Sequence, residues 1–269
     1  MRPCRICQAW KSRAKERAKR RLMVISVAPV SRTRKISSCM CFHDNLTKRI
    51  TVAIDGPAGA GKSTIARRIA AKLGYIYVDT GAMYRAVALW AMRRGVALSD
   101  MHRLEQLANE ARIEFVSGDG KVLLNGEDVS EAIRAPEVSE AASEVSRIGA
   151  VRRALVAKQR EIGERASIVM EGRDIGSVVF PNATVKIFLD ALPEVRAERR
   201  AVESALPAEV VAEHIRQRDR RDQTRAHSPL VQAPDAVYVD TTGMTIEEVE
   251  AALLKIIRDR TSNGKERTE

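Results

Sequence analysis

The chain has 269 residues, of which 45% are hydrophobic and 30% are charged, and its formal net charge is +11. This apolar content excludes global disorder. The positive charge is confined to one segment, because residues 1–48 hold 13 Lys and Arg against two acidic residues and the remainder of the chain is neutral. That remainder also has no cysteine, which excludes a disulfide-stapled secreted domain.

The basic segment 1–47 is open to four interpretations. It is an over-long reading frame with synthesis starting at Met23 or Met40, a targeting peptide, or an arm that binds nucleic acid. Its longest apolar run, at 22–30, is too short to span a bilayer. The fourth interpretation is a zinc site formed by Cys4, Cys7, Cys39 and either Cys41 or His43. The last two cysteines are closer together than structural zinc usually requires, so we favour a disordered or artefactual extension before a folded domain at 48–269.

A phosphate-binding loop is predicted directly after a short, apolar and β-branched strand, Ile50–Ile54. The residues at 56–64 read GPAGAGKST and match G-x-x-x-x-G-K-[ST]. Glycines let the backbone curl so that its N–H groups point at phosphate oxygens. Lys62 can reach the outer phosphates of a triphosphate, and the Ser63 hydroxyl can hold Mg²⁺. The predicted ATP-binding residues are Gly56, Pro57, Ala58, Gly59, Ala60, Gly61, Lys62, Ser63 and Thr64.

A second strand, Tyr75–Asp79, ends in a carboxylate and leads into a predicted helix. Thr80 and Gly81 can cap that helix, whose core-facing stripe includes Met83. Arg85 lies off the stripe, in the first turns above the strand end. It is either a solvated arginine or a guard of the carboxyl edge of a parallel sheet, where ligands bind in open α/β folds.

The segment from 111 to 131 interrupts the alternation of strands and helices. Ile113–Val116 and Val122–Leu124 flank a turn at 117–120 and predict a hairpin, with Asn125–Gly126 as a second turn signal. A helix from Val151 to Glu164 then returns the chain to the sheet. We therefore interpret this region as an insertion.

Three further strands and two helices complete the predicted domain. The strands are Ile168–Met170, Val185–Asp190 and Ala236–Asp240. The last helix begins with a capping box formed by Thr245 and Glu248 and turns Val249, Leu253 and Ile256 inward. Strands that alternate with helices predict an α/β domain whose parallel sheet carries helices on both faces.

The helix from about Glu209 to Arg225 carries a stripe that begins apolar and ends charged. Its members recur at steps of four and three residues and are Val211, Ile215, Arg218, Asp222 and Arg225. Charges on an inward face need partners, so they either pair with one another and with acidic neighbours or meet an anionic ligand. An arginine-rich helix on the surface is the alternative.

The chain has more arginine near these elements than one triphosphate needs. Arg85, Arg173, Arg218, Arg221 and Arg225 offer planar, permanently charged forks for phosphate. We infer a second phosphate-bearing substrate. No Ser/His/Asp or Cys/His set is evident, as expected when the acceptor is a phosphate that is largely ionised at pH 7 and needs no general base.

The sequence resembles the bacterial cytidylate kinases, which are nucleoside monophosphate kinases of the P-loop class, from about Arg49 to near the C-terminus. The segments that carry the resemblance are Ile54–Lys62, Asp79–Arg85, Ala141–Ser143, Gly172–Asp174, Val178–Pro181 and Arg221–Arg225.

The resemblance implies a P-loop kinase with a five-stranded parallel sheet flanked by helices. It also implies a small α+β monophosphate-binding insertion at about 104–152 and a short lid at about 201–210, which is slightly compact in this sequence. The implied substrates are ATP with CMP or dCMP, and the implied metal is Mg²⁺ with Ser63 as its protein ligand. We expect a cytoplasmic monomer that binds small molecules and no membrane.

Residue roles follow from the same resemblance. It places Thr80, Arg85, Arg173 and Arg225 around the CMP phosphate and the transfer path. It makes Ser143, Arg152 and Asp174 the readers of cytosine and ribose, and it assigns sugar or phosphate contacts to Arg218 and Asp222. The expected catalytic residues are Lys62, Arg173, Asp222 and Arg225.

Two alternatives remain at this point. The chain is another nucleoside monophosphate kinase, for UMP or AMP, or it is a nucleotide-gated protein that uses its basic N-terminal segment on nucleic acid. Comparing the phosphorylation of CMP, dCMP, UMP and AMP distinguishes a cytidylate kinase from the first alternative. Deleting residues 1–47 tests the second.

Overall fold

A computed structural model of the chain describes residues 24–26, 49–116, 120–203 and 207–262. The strands in these ranges are β1 Val24–Ser26, β2 Thr51–Asp55, β3 Ile76–Asp79, β4 Ile113–Val116, β5 Lys121–Leu124, β6 Glu127–Asp128, β7 Ile168–Glu171, β8 Val185–Asp190 and β9 Val237–Asp240. The α-helices are α1 Lys62–Leu73, α2 Thr80–Arg93, α3 Met101–Glu110, α4 Pro136–Val145, α5 Gly149–Arg165, α6 Pro193–Glu203, α7 Ala208–Thr224 and α8 Ile246–Ser262. A 3₁₀ turn, Ala132–Arg134, and a π-helical turn, Ile175–Val179, complete the set.

The predicted five-stranded parallel sheet is present, in the order β3-β7-β2-β8-β9. The strand that precedes the phosphate-binding loop, β2, lies at its centre and pairs with β7 on one side and β8 on the other. Because all five strands run the same way, their carboxyl ends meet at one edge. The sheet therefore brings together segments that are far apart in sequence.

Each of the five parallel strands ends in an acidic residue at that edge. The five are Asp55, Asp79, Glu171, Asp190 and Asp240. Asp190 and Asp240 accept hydrogen bonds from nearby backbone N–H groups, Ala191 N and Thr242 N, each 2.8 Å away. The edge is thus lined with carboxylates that can hold loops and cations.

The two faces of the sheet bury separate apolar cores. One core packs α1 and α8 against the sheet, and the predicted inward residues Val249 and Leu253 are buried in it. Ile256 packs there half-buried, whereas its neighbour Ile257 is buried. The other core lies under α2, where Met83 is fully buried. Helices on both faces were predicted, and the structure has them.

The predicted insertion folds onto α2 and shares its core. Strands β4 and β5 form the expected antiparallel hairpin, with Ile113 opposite Leu124, and both residues belong to the same apolar cluster as Met83. Strand β6 pairs with β5, and β1 pairs antiparallel with β4. The remaining residues of the predicted extension 1–47, and the turn at 117–119, lie outside the described residues.

Helices α6 and α7 form a hairpin with a small apolar cluster of its own, made of Ala197, Val211 and Ile215. The predicted lid at 201–210 spans the tip of this hairpin, but residues 204–206 lie outside the described residues. Within the ranges given above, no helix combines the length and the apolarity that crossing a membrane requires.

Candidate active site

The phosphate-binding loop curls tightly between the end of β2 and the start of α1. Gly56 has a φ of 146°, and a Cβ there would lie 1.9 Å from the carbonyl oxygen of Leu189. Gly61, with a φ of 83°, immediately precedes α1. Glycine at these two positions therefore permits both the backbone conformation and the close approach to β8. The helix that follows directs its N-terminal end toward the loop, which favours anions.

Lys62 is buried at the mouth of this loop, where its Nζ donates to the carbonyl oxygen of Pro57 at 2.6 Å. Burial, together with the positive charge of Arg173, lowers the pKa of Lys62 to about 7, although the negative charge of Glu171 opposes the change. A lysine in this state gains much from a phosphate anion, which favours the charged form. The loop is thus set up to receive a polyanion.

Glu171, at the end of β7, lies beside Lys62 and was not predicted as a site residue. Burial and the charge of Asp79 raise the pKa of Glu171, while Lys62 and hydrogen bonds from Tyr77 and Ser63 lower it. Its sequence signal was weak, since the predicted strand stopped at Met170. Ser63 itself is exposed at the first turn of α1. A hydroxyl and a carboxylate are oxygen donors of the kind that Mg²⁺ prefers, so these residues fit the metal.

A cleft next to the loop brings together every residue predicted to bind the second substrate. The nine are Thr80, Arg85, Ser143, Arg152, Arg173, Asp174, Arg218, Asp222 and Arg225. Tyr84 and Ser146 also line this cleft and were not predicted. The residues come from α2, α4, α5, α7 and the turn after β7, so the sheet edge and the insertion together form the cleft.

Carboxylates hold the arginines of the cleft in place. Asp174 forms an ion pair with Arg152 and lies 3.5 Å from Nη2 of Arg225. Asp222 accepts a hydrogen bond from Nε of Arg173 at 2.9 Å and lies 3.8 Å from Nη1 of Arg225. The charged end of the α7 stripe therefore faces inward, as predicted, and its charges pair with one another and with the turn after β7.

Some donors of these arginines form no hydrogen bond within the described part of the chain, although one of them lies 3.5 Å from Asp174. They are Nε of Arg85, Nε of Arg152 and Nη2 of Arg225, all buried. Burial, together with the charge of Arg173, lowers the pKa of Arg218 to about 10. Buried donors without acceptors and mutually repelling cations are costly, and a phosphate anion relieves both. The cleft is therefore built for an anion.

Two features of the anion cleft differ from the sequence predictions. Asp79, and not Thr80, caps α2, because its Oδ1 accepts from the N–H of Ala82 at 2.8 Å. Thr80 already lies inside the first turn, and its hydroxyl instead donates to the carbonyl oxygen of Glu171 at 2.7 Å. Arg221 lies on another face of α7, where its Nε donates to the carbonyl oxygen of Gln217, so it does not join the other arginines.

Asp55 supports the cleft from below. Its two carboxylate oxygens accept from the N–H groups of Ile175 and Gly176, at 2.8 and 2.7 Å. These bonds fix the turn that presents Arg173 and Asp174. Burial raises the pKa of Asp55 to about 6. No local pattern around Asp55 indicates this role, because its partners lie some 120 residues away.

The phosphate loop and the anion cleft adjoin at one sheet edge, with Lys62 close enough to Arg173 and Arg218 for their charges to lower its pKa. A P-loop that adjoins a cluster of inward-facing arginines marks the chain as a kinase of the P-loop class, and the cluster fits an acceptor that itself carries phosphate.

The comparisons with known proteins give the particular family. A family model described as cytidylate kinase matches residues 52–259. A cytidylate kinase of Solibacter usitatus (strain Ellin6076) is 60% identical over 83% of this chain and 98% of the relative. Cytidylate kinases of Enterococcus faecalis (strain ATCC 700802 / V583) and Ligilactobacillus salivarius (strain UCC118) are 46% and 48% identical, over 79% and 80% of this chain and 97% and 99% of the relatives. The chain belongs to the cytidylate kinase family.

Proposed function

We propose that this chain transfers the γ-phosphoryl group of ATP to CMP and dCMP, which gives ADP and CDP or dCDP. Membership of the cytidylate kinase family supports this reaction. The observation that carries it is the cluster of buried and half-buried arginines beside the phosphate loop, since one triphosphate does not require so many fixed cations.

On the donor side, the loop amides and Lys62 bind the ATP phosphates and stabilise charge on the transferring group. Mg²⁺ supplies further neutralisation of that charge when it is bound, and Ser63, with Glu171 nearby, would hold it. A positioned lysine with a lowered pKa becomes fully charged once the phosphates arrive. The positive charge of Lys62 on the donor side therefore increases when ATP binds.

On the acceptor side, Arg85, Arg173 and Arg225 bind the CMP phosphate with Thr80 at the edge of the cleft. Because the phosphate is already largely ionised near pH 7, no residue needs to remove a proton from it. Positioning and charge stabilisation are then sufficient for an in-line transfer. Asp222 orients Arg173 through the 2.9 Å hydrogen bond.

Choice of base rests on polar side chains in the same cleft. Ser143, Arg152 and Asp174 would read cytosine and ribose, with Arg218 at the sugar or phosphate. A site that forms hydrogen bonds with one base edge rejects another base because its own buried groups stay unpaired. The buried Arg152–Asp174 pair is suited to this role, since both residues are less than a tenth exposed.

The active unit is a monomer in this proposal, since the residues assigned to binding both nucleotides can all be supplied by a single chain. Its dependence on ATP places it in the cytoplasm.

A kinase assay with ATP and equal concentrations of CMP, dCMP, UMP and AMP tests the proposal. We expect CMP and dCMP to be phosphorylated far faster than UMP or AMP. A strong preference for AMP would contradict the assignment of the base.

A further inference from the structure

The helical hairpin α6–α7 contains a buried ion pair that takes no part in the proposed transfer. Arg196 on α6 is 7% exposed and Asp219 on α7 is 8% exposed, and their side chains pair directly. Nε of Arg196 also donates to the carbonyl oxygen of Ala191 at 2.9 Å. A buried ion pair does not by itself add stability, so its position calls for another explanation.

Both members of the pair bind the backbone of one residue in the phosphate loop, Ala58. Its N–H donates to Oδ1 of Asp219 at 3.1 Å. Its carbonyl oxygen accepts from Nη1 of Arg196 at 3.0 Å. The hairpin thus binds both backbone polar groups of Ala58, at the middle of the curl.

The neighbouring glycine is in even closer contact with α6. A Cβ at Gly59 would lie 2.7 Å from the carbonyl oxygen of Arg196, and Gly59 has a φ of 78°. Glycine at this position therefore lets the loop rest directly against the backbone of α6. Two adjacent loop residues, Ala58 and Gly59, are therefore both in contact with Arg196 of the hairpin.

The hairpin is attached to the rest of the molecule largely through polar contacts. Its own apolar cluster is small, as described above, and is separate from the two cores of the sheet. Besides the pair at Ala58, Arg199 donates to the hydroxyl and carbonyl oxygens of Thr241, at 2.9 and 2.8 Å. Elements with few buried apolar contacts are the ones that move most readily. The pair at Ala58 therefore joins a rigid loop to a more easily displaced hairpin.

We propose that Arg196 and Asp219 are positioning residues for the ATP site: they hold Ala58 so that the phosphate loop stays curled, and they connect the loop to the α6–α7 hairpin. The inference rests on the proposed function, because it concerns binding of ATP. Without the pair, the backbone groups of Ala58 lose their partners and ATP must order the loop as it binds. Ala58, Arg196 and Asp219 do not line the anion cleft.

The experiment measures the Kd of MgATP and the Kd of CMP separately by calorimetry, on the full chain. Asp219→Ala is expected to raise the Kd of MgATP about tenfold, as loss of a hydrogen bond to a charged group does. It is expected to change the Kd of CMP much less, because Asp219 lies outside the cleft and reaches Arg173 only through its charge. Glu213→Ala is the matched control, because Glu213 lies on the same helix and pairs with Arg216 at an exposed site. It should change neither constant.

A second variant separates positioning from simple stability. Asp219→Asn keeps an oxygen that can accept from the N–H of Ala58, so it is expected to bind MgATP more tightly than Asp219→Ala does. Unchanged binding of MgATP by folded Asp219→Ala, equal weakening of both nucleotides, or equal losses in the two variants would each overturn the inference. If the unaltered chain bound neither nucleotide, the proposed function itself would fail. The outcomes above would overturn only the inference, because in them the unaltered chain still binds both nucleotides.

Discussion

In the proposed reaction, the phosphate loop (the donor side) and the anion cleft (the acceptor side) bind phosphate in different ways. The donor side is one contiguous segment, Gly56 to Thr64, that uses backbone amides and a single lysine. The acceptor side uses side chains from five separate elements, and carboxylates already hold its arginines. The donor site is therefore a property of local backbone conformation, whereas the acceptor site is a property of tertiary structure.

This difference extends to electrostatics. Arg173 is held by Asp222 at 2.9 Å, so its geometry is set before substrate arrives. Lys62 donates only to a neutral backbone carbonyl in its direct hydrogen bond, and its pKa is lowered to about 7. A preorganised cluster gives orientation and selectivity, while a lysine whose charge depends on its ligand responds to ATP itself.

The largest expected effect comes from removing Lys62, the cation that the loop itself contributes to the donor side. Lys62→Ala should lower kcat by about 10²–10³-fold or more, because positioned charge at the transferring group is lost. The Kd of CMP should stay the same, since the acceptor arginines remain. Steady-state kinetics and a separate CMP titration check this, and a parallel loss of CMP binding would contradict the division into two sides.

The buried carboxylate that links the two sides predicts a dependence of stability on pH. The pKa of Asp55 is raised from 3.8 to about 6 in the folded chain, so the folded state keeps a proton that the unfolded chain releases. The contribution of Asp55 to the free energy of unfolding therefore decreases as pH rises from about 4 to about 6, by about 3 kcal/mol in total.

Denaturant titrations of the unaltered chain and of Asp55→Asn across this pH range test that prediction. The difference between the two free energies of unfolding should change with pH in this window, because the amide does not titrate. A difference that is constant between pH 4 and 6 would show that Asp55 keeps an ordinary pKa.

Asp174→Ala tests the acceptor side alone. It leaves Arg152 and Arg225 without their shared carboxylate, and we expect the KM for CMP to rise about 10–100-fold, as for loss of charged hydrogen bonds. The KM for ATP should change little. Asp128→Ala, at an exposed carboxylate of the insertion, is the control. Unchanged CMP kinetics in Asp174→Ala would contradict its role as a reader of the substrate.

The smallest expected effect is the uptake of a proton by Lys62 when ATP binds. Near pH 8 the lowered pKa leaves Lys62 largely neutral, and the phosphates of ATP should raise that pKa, so binding takes up close to one proton. Calorimetry in two buffers of different ionisation enthalpy measures this uptake. Lys62→Met should abolish it, whereas Lys158→Met should not, although burial also lowers the pKa of Lys158. Equal uptake in all three proteins would contradict the assignment.

The same comparison explains what could be predicted from the sequence. The loop at 56–64 was readable because its geometry is encoded in adjacent residues. The stripe of α7 was readable because helical periodicity places Arg218, Asp222 and Arg225 on one face. The specific roles proposed for these residues came from resemblance to a family and not from spacing.

The supporting partners were not readable. Asp55 binds a turn about 120 residues away, and Asp219 binds Ala58 across 161 residues. Nothing local in the sequence distinguishes such carboxylates from solvated ones. The cap of α2 was misassigned to Thr80 for a similar reason, since the hydroxyl of Thr80 finds a partner on another strand, at Glu171.

Binding of a bisubstrate analogue, in which cytidine and adenosine are joined through a chain of phosphates, tests the central claim most directly. If the glycine loop and the arginine cluster form two adjoining sites for two nucleotides, the analogue should bind more tightly than either nucleotide and compete with both ATP and CMP. Competition with only one of them, at an affinity no better than that nucleotide alone, would contradict the account.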